Sequence, residues 1–206
     1  MPERTFIKMC GLRRPEDIAA ANEVQPDYIG FVFFPGSKRC VLPETAAELR
    51  ESLSPAVKAV GVFVDEAPET VAGLLNAGII DIAQLHGSED DGYIERLKNL
   101  TSHPVIKASK IRSKDDAVLA QHSKADHILL DAGAGDGLTF DWSYLKDIKR
   151  DYFLAGGLDV TNVAKAIKLD PYAVDVSSGI ETDGKKDKEK MKAFAANVRN
   201  GRKTNV

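Results

Sequence analysis

Two glycine-bearing segments late in the chain have the composition of an anion cradle. Phe153-Leu154-Ala155-Gly156-Gly157 ends one apolar run, and Ala173-Val174-Asp175-Val176-Ser177-Ser178-Gly179 ends the next. Glycine lets backbone N–H groups approach an anion closely, and the N-terminus of a following helix adds a favourable dipole. Gly156, Gly157, Ser178 and Gly179 therefore read as a phosphate site, with two ordinary turns as the plain alternative. Near the start, Cys10 closes Lys8-Met9-Cys10-Gly11, and later Asp131 closes Leu129-Leu130-Asp131. A thiolate and a carboxylic acid on two sides of one substrate can act as base and acid in an isomerisation. The thiolate requires nearby positive charge to bring its pKa towards neutrality, and the acid requires burial or a negative neighbour to stay protonated. Cys10 reads equally as a small buried hydrophobe, and Asp131 as a loop cap.

These residues need a scaffold that brings distant segments to one place. Apolar, β-branched runs predict strands near Thr5–Met9, Tyr28–Phe33, Val57–Val64, Asp81–Leu85, Pro104–Ala108, His127–Asp131, Tyr152–Ala155 and Tyr172–Ser177. Helical patterns fall between them, near Pro15–Glu23, Pro43–Leu53, Pro68–Ala77, Glu89–Asn99, Lys114–His122, Trp142–Ile148 and Thr161–Leu169, with a last helix near Lys188–Val198. Pro15, Pro43 and Pro68 stand where a first helical turn tolerates proline, and Thr161 reads as an N-cap or first-turn residue. Strict alternation predicts a parallel sheet, and eight strands predict closure into a single-domain (β/α)8 TIM barrel over residues 1–206. An open doubly wound sheet is the runner-up, but no Gly-x-Gly-x-x-Gly follows the first strand.

In such a barrel the chemistry lies at the C-terminal ends of the strands, and phosphate commonly sits on the loops after the seventh and eighth. That rule selects Cys10, the Pro35-Gly36-Ser37-Lys38-Arg39 loop, Gln84-Leu85-His86-Gly87, Asp131 with its glycine-bearing loop Ala132–Thr139, and the glycine pair. Gln84, His86 and Asp175 join the list as further candidates, and His86 reads equally as a structural histidine. Arg39 could fork onto a carboxylate or simply be solvated, as Lys38 is expected to be; Cys40 reads as structural.

Composition narrows the classes. The chain has 206 residues, a net charge of −3 and 43% hydrophobic residues, which suits one sizeable core and argues against bulk binding to nucleic acid or an anionic membrane. No apolar run approaches 18 residues, and Glu3, Arg4 and Lys8 interrupt any signal-peptide pattern at Met1–Cys10. Two cysteines are too few for a disulfide framework, so a cytoplasmic protein with free thiols is expected. Lys185, Lys186, Lys188, Lys190 and Lys192, interleaved with Asp183, Asp187 and Glu189, read as a solvated helix face rather than a nucleic-acid patch.

At these same residues the chain resembles the phosphoribosylanthranilate isomerase family, barrel enzymes of tryptophan biosynthesis. The resemblance runs from about Ile7 to Phe194. It is carried by Ile7-Lys8-Met9-Cys10-Gly11, Gly30-Phe31-Val32-Phe33 with Ser37-Lys38-Arg39, Gly61-Val62-Phe63-Val64 and Gln84-Leu85-His86-Gly87. It continues through Leu129-Leu130-Asp131 with Thr139-Phe140-Asp141-Trp142, Ala155-Gly156-Gly157-Leu158 and Asp175-Val176-Ser177-Ser178-Gly179-Ile180-Glu181. The resemblance implies an Amadori rearrangement of N-(5-phosphoribosyl)anthranilate to 1-(2-carboxyphenylamino)-1-deoxyribulose 5-phosphate. It implies Cys10 as general base, Asp131 as general acid, Arg39 facing the anthranilate carboxylate, and phosphate on Gly156-Gly157 and Ser178-Gly179. It implies a small phosphosugar substrate and no metal or organic cofactor, and it implies nothing about an oligomeric partner. The chain departs from the family pattern at Asp136, where many members carry serine or threonine, and at Cys40, where an aromatic residue is common. Two rival classes are an indole-glycerol-phosphate synthase, which needs a lysine-based acid and usually an extra N-terminal segment before a first strand that here starts by Thr5, and a phosphosugar-binding barrel without catalysis.

Overall fold

The structure, a computed structural model, describes residues 4–131 and 141–201. Eight parallel strands close into a barrel: β1 (Phe6–Cys10), β2 (Tyr28–Val32), β3 (Lys58–Phe63), β4 (Ile82–Leu85), β5 (Val105–Lys110), β6 (His127–Asp131), β7 (Tyr152–Leu154) and β8 (Ala173–Val176). Closure is made by β1 on β8, with Lys8 in register beside Asp175. The expected closed α/β barrel is therefore present. The outer layer contains α1 (Pro15–Val24), α2 (Pro43–Glu51), α3 (Pro68–Asn76), α4 (Asp91–Leu100), α5 (Lys114–Ala120), α6 (Val163–Ala166) and α7 (Lys188–Gly201). Pro15, Pro43 and Pro68 each open a helix, where the missing N–H costs nothing.

Period-two alternation decides which side chains reach the barrel interior. In β1, Ile7 and Met9 point outward into the core beneath the helices, while Phe6, Lys8 and Cys10 point inward. In β8, Val174 and Val176 pack outward, so Ala173 and Asp175 face in. In β6, Ile128 and Leu130 pack outward, leaving Leu129 and Asp131 on the interior face. Both faces are covered, so both carry apolar residues, and the inward polar positions near the C-terminal ends stand out.

The other end of the barrel is closed by rings. Phe6, Tyr28, His127, Phe153 and Tyr172 pack with neighbouring centroids 4.8–6.3 Å apart, and the Tyr28 and Tyr172 hydroxyls share a hydrogen bond of 3.1 Å. Burial pushes the His127 imidazole down and the Tyr28 phenol up, so both are neutral near pH 7.

Two expected helices are shorter or tighter than the sequence pattern suggests. Trp142–Leu145 is a single 3₁₀ turn, capped by Asp141 and closed by bonds from Tyr144 to Asp141 and from Lys146 to Ser143. The stretch expected over Thr161–Leu169 has α-helix only at Val163–Ala166, then 3₁₀ at Ile167–Leu169 up to Asp170, whose φ is 55°. Apolar spacing does not distinguish i→i+3 from i→i+4 bonding in segments this short. Thr161 is not the cap; the Asp159 carboxylate accepts from the N–H groups of Thr161 and Asn162. A small antiparallel hairpin, β9 (Glu181–Thr182) and β10 (Lys185–Lys186), follows β8 and was not expected from the sequence. The loop Ala132–Thr139, with Asp136, lies outside the described residues.

Candidate active site

Cys10 sits at the inward C-terminal end of β1 with its thiol packed against the backbone of β2. A Cβ on Gly30 would lie 2.6 Å from Cys10 Sγ, so the glycine makes room for the sulfur. Directly below, Lys8 is completely buried and donates to Asp175 Oδ2 at 2.8 Å. Burial alone would pull the Lys8 ammonium down, but Asp175 and Cys10 raise it above its usual value, so Lys8 is charged. Burial pushes the Cys10 thiol up, against the lowering influence of Lys8 and Lys186. The expected fall towards neutrality is therefore not seen: burial, with Asp175, outweighs the lowering by Lys8 and Lys186, two lysines that the sequence reading did not assign to the site. Asp175 Oδ1 is buried without a hydrogen-bond partner among the described residues.

Across the mouth, His86 Nε2 lies 3.3 Å from Asp131 Oδ2. Gln84 Nε2 donates to His86 Nδ1 at 2.9 Å, which leaves the ring proton on Nε2, facing the carboxylate. Gln84, His86 and Asp131 thus form one line, in which the histidine orients the aspartate. Gln84 is buried on the inward face of β4 and His86 follows that strand, so two candidates from one short motif meet a third from β6.

Arg39 is not solvated. Its Nε and Nη2 donate to the two carboxylate oxygens of Glu181 at 2.7 and 2.9 Å, a fork with both side chains largely buried. Its aliphatic stem lies over Gly11, where a Cβ would come within 2.4 Å of Arg39 Cδ; the φ of +80° at Gly11 is a second reason for glycine. Lys186, expected on a solvated helix face, is instead buried in β10. Its ammonium reaches Glu181 Oε1 at 2.7 Å and the Ser177 carbonyl at 2.9 Å. Lys188 and Lys192 do lie on the exposed face, paired with Glu23. Burial would raise the Glu181 carboxyl, but hydrogen bonds from Arg39 and Lys186 hold it at about 2. Cys40 is half-buried, with its thiol 3.7 Å from the Val41 carbonyl, and makes no contact of this kind with the site.

The two glycine loops lie side by side. Gly156 and Gly157 have φ of 90° and 62°, the left-handed region that favours glycine. Asn162 staples their loop by donating to the Gly157 carbonyl at 2.7 Å and accepting from Asp159 N. A backbone bridge joins Asp159 to Gly179, and a Cβ on Gly179 would lie 2.0 Å from the Leu158 carbonyl oxygen. Gly179 is therefore required first by the meeting of the two loops. Ser178 sits beside it at the exit of β8.

The sequence of this chain matches known proteins over nearly its whole length. The family described as "PRAI: N-(5'phosphoribosyl)anthranilate (PRA) isomerase" matches residues 7–197. The N-(5'-phosphoribosyl)anthranilate isomerase of Endomicrobium trichonymphae is 44% identical over 191 residues, covering 90% of this chain and 94% of the relative. The crystal structure of phosphoribosyl anthranilate isomerase from Thermus thermophilus superposes with a TM-score of 0.87 at 34% identity, covering 95% of this chain and 99% of that one. A crystal structure of a phosphoribosyl anthranilate isomerase in complex with reduced 1-(o-carboxyphenylamino)-1-deoxyribulose 5-phosphate gives 0.85 at 37% identity, covering 95% and 99%.

Proposed function

The chain belongs to the N-(5'-phosphoribosyl)anthranilate isomerase family, and we propose that Cys10 is the general base and Asp131 the general acid of its reaction. The protein is an aldose–ketose isomerase of tryptophan biosynthesis, converting N-(5-phosphoribosyl)anthranilate to 1-(2-carboxyphenylamino)-1-deoxyribulose 5-phosphate. The observation that carries the assignment of roles is that the two groups sit on the inward face at the C-terminal ends of β1 and β6, each with its own supporting partners.

Asp131, acting from its protonated form, gives its proton to the furanose ring oxygen, with His86 Nε2 placed to hold the carboxylate that is left, and the C1–O bond breaks to leave an open-chain protonated Schiff base. Cys10, having first lost its own proton to solvent, acts as the thiolate and takes the proton from C2, and that bond's electron pair moves in to neutralise the iminium, giving an enolamine that tautomerises to the ketone. Ring opening places a positive charge beside the thiol at the step that needs the thiolate, adding to Lys8 and Lys186. The phosphate is held by Gly156, Gly157, Ser178 and Gly179, so binding energy far from the reacting carbon fixes C2 against the sulfur. Asp175 Oδ1, buried and without a hydrogen-bond partner among the described residues, accepts from a sugar hydroxyl. Arg39 meets the anthranilate carboxylate with the N–H groups that Glu181 leaves uncommitted.

The whole chain acts as one barrel domain in the cytoplasm, a reading supported by its two free cysteines. No helix among the described residues is long and apolar enough to cross a membrane. The reading is tested by adding the purified protein to freshly made phosphoribosylanthranilate. Loss of anthranilate fluorescence with formation of the ribulose phosphate is expected. Formation of indoleglycerol phosphate, or no turnover, would overturn it.

A further inference from the structure

Arg39, Glu181, Lys186, Ser177 and Cys10 form one continuous chain of contacts. The Glu181 carboxylate lies between two cations, forked by Arg39 and capped at Oε1 by Lys186 Nζ at 2.7 Å. The same ammonium donates to the Ser177 carbonyl at 2.9 Å and approaches the Ser177 hydroxyl at 3.4 Å. That hydroxyl donates to the Cys10 carbonyl at 3.1 Å. Glu181 and Lys186 are cross-strand partners in the β9–β10 hairpin, so their spacing is set by the backbone. The hairpin is tied down by Arg14 on the Lys186 carbonyl at 3.2 Å and Lys190 on the Glu181 carbonyl at 2.7 Å.

A buried lysine that served stability alone would be a poor choice. Desolvating an ammonium and a carboxylate together commonly costs as much as their attraction returns, and an apolar pair would hold a hairpin as well. What the charges supply is geometry and field at two places at once. We propose that Lys186 is a positioning residue of the isomerisation: its ammonium pins the carboxylate that aims Arg39 and, through Ser177, braces the strand end that carries the Cys10 thiol. This rests on the assignment of Cys10 as base.

The charged groups around Cys10 come from every wall of its seat. Lys8 lies on β1, Asp175 on β8, Arg39 on the loop after β2, and Glu181 and Lys186 on the hairpin. Lys8 and Lys186 lower the thiol and Asp175 raises it. Removing Lys186 takes away a positive neighbour of Cys10. Burial lowers the Lys186 ammonium and Glu181 is the first group that holds its proton, so neutralising Glu181 weakens the same positive charge. Both changes should therefore move Cys10 up, the loss of Lys186 further.

The experiment uses the full chain carrying Cys40→Ser, so that Cys10 is the only thiol. Thiolate absorbance is titrated with pH in this parent and in Lys186→Met, Lys186→Arg and Glu181→Gln, and the acid limb of kcat/KM is recorded for each. Lys186→Met is expected to move the Cys10 titration and the kinetic limb up by about one pH unit, the scale of one close charge. Glu181→Gln is expected to move both up by less, and Lys186→Arg to return the limb close to the parent. Limbs that stay in place or move down in the neutralising variants would make Lys186 a fold residue only and overturn the proposal. If Lys186→Met does not fold, the direction of the Glu181→Gln shift decides alone. The titration needs no turnover, so a parent without isomerase activity would count against Cys10 as base while leaving the coupling of charges still measured.

Discussion

At the floor of the barrel Phe6, Tyr28, His127, Phe153 and Tyr172 pack ring on ring, and burial holds Tyr28 and His127 neutral. At the mouth, Lys8 with Asp175 and Arg39 with Glu181 and Lys186 are buried as charges. Inward alternation along the barrel strands delivers Phe6, Tyr28, His127 and Phe153 to the floor and Lys8 and Asp175 to the mouth, while Arg39 comes from the loop after β2 and Glu181 and Lys186 from the β9–β10 hairpin. The floor burns no free energy on desolvated charge, and every ring there adds buried apolar area. The mouth carries charges whose burial gives little or no net stability, which makes sense only if their fields and directions are used. The comparison therefore separates residues that hold the barrel from residues proposed to run its chemistry, and substitutions at the two ends should fail in different ways.

The largest effect is expected at the acid. Asp131→Asn keeps the shape and the contact with His86 but cannot donate the proton, so kcat should fall by about 10²–10⁴, the usual range for a general acid. Its melting temperature should stay near that of the parent, and full retention of kcat would pass the role to another group. The floor should behave in the reverse way. Phe153 is almost fully buried, and Phe153→Ala should cost about 3–5 kcal/mol in urea unfolding while the folded fraction keeps its kcat. A large loss of kcat in folded Phe153→Ala would erase the distinction between the two ends.

Arg39 sharpens the comparison within the mouth. Arg39→Ala should weaken a product analogue by about 2–3 kcal/mol, as expected for desolvated charge-assisted hydrogen bonds. The loss should shrink for an analogue lacking the anthranilate carboxylate. Equal losses in the inhibition constants would show that Arg39 serves only Glu181. The smallest effect is expected at the phosphate loop. Gly157→Val places a β-branched residue at a φ of 62°, and KM should rise about tenfold or more with kcat less affected. Inorganic phosphate should compete with substrate in the parent and compete less in this variant, and an unchanged inhibition constant would argue against phosphate at this loop.

Much of this was legible in the sequence, for physical reasons. Parallel strands buried on both faces leave long apolar runs, and glycine or proline marks their ends, so the barrel could be counted before it was seen. Because chemistry gathers at strand C-termini, Cys10, Asp131, Gln84 and His86 could be selected by position alone. Lys8 was read only as part of a motif, because nothing in β1 says that its inward neighbour is Asp175, 167 residues away. Lys186 was misread because a run of lysines and acids looks the same whether its members face water or one of them turns inward. The turn at Gly184, with φ of 71°, folds the run back as a hairpin and buries that one side chain. The 3₁₀ turn at Trp142–Leu145 and the short α6 were hidden because their apolar spacing fits either helix type.

The central claim, that a thiol at the end of β1 removes the C2 proton, is tested most directly by one comparison of rates. Freshly made phosphoribosylanthranilate is given to the parent, Cys10→Ser and Cys40→Ser, and the decay of anthranilate fluorescence is followed at equal concentrations of folded protein. The serine hydroxyl is far too weak an acid to supply the anion near neutral pH. The account predicts that Cys40→Ser turns over like the parent and that Cys10→Ser loses at least about two orders of magnitude in kcat while still binding product. Turnover by Cys10→Ser at the parental rate would contradict it.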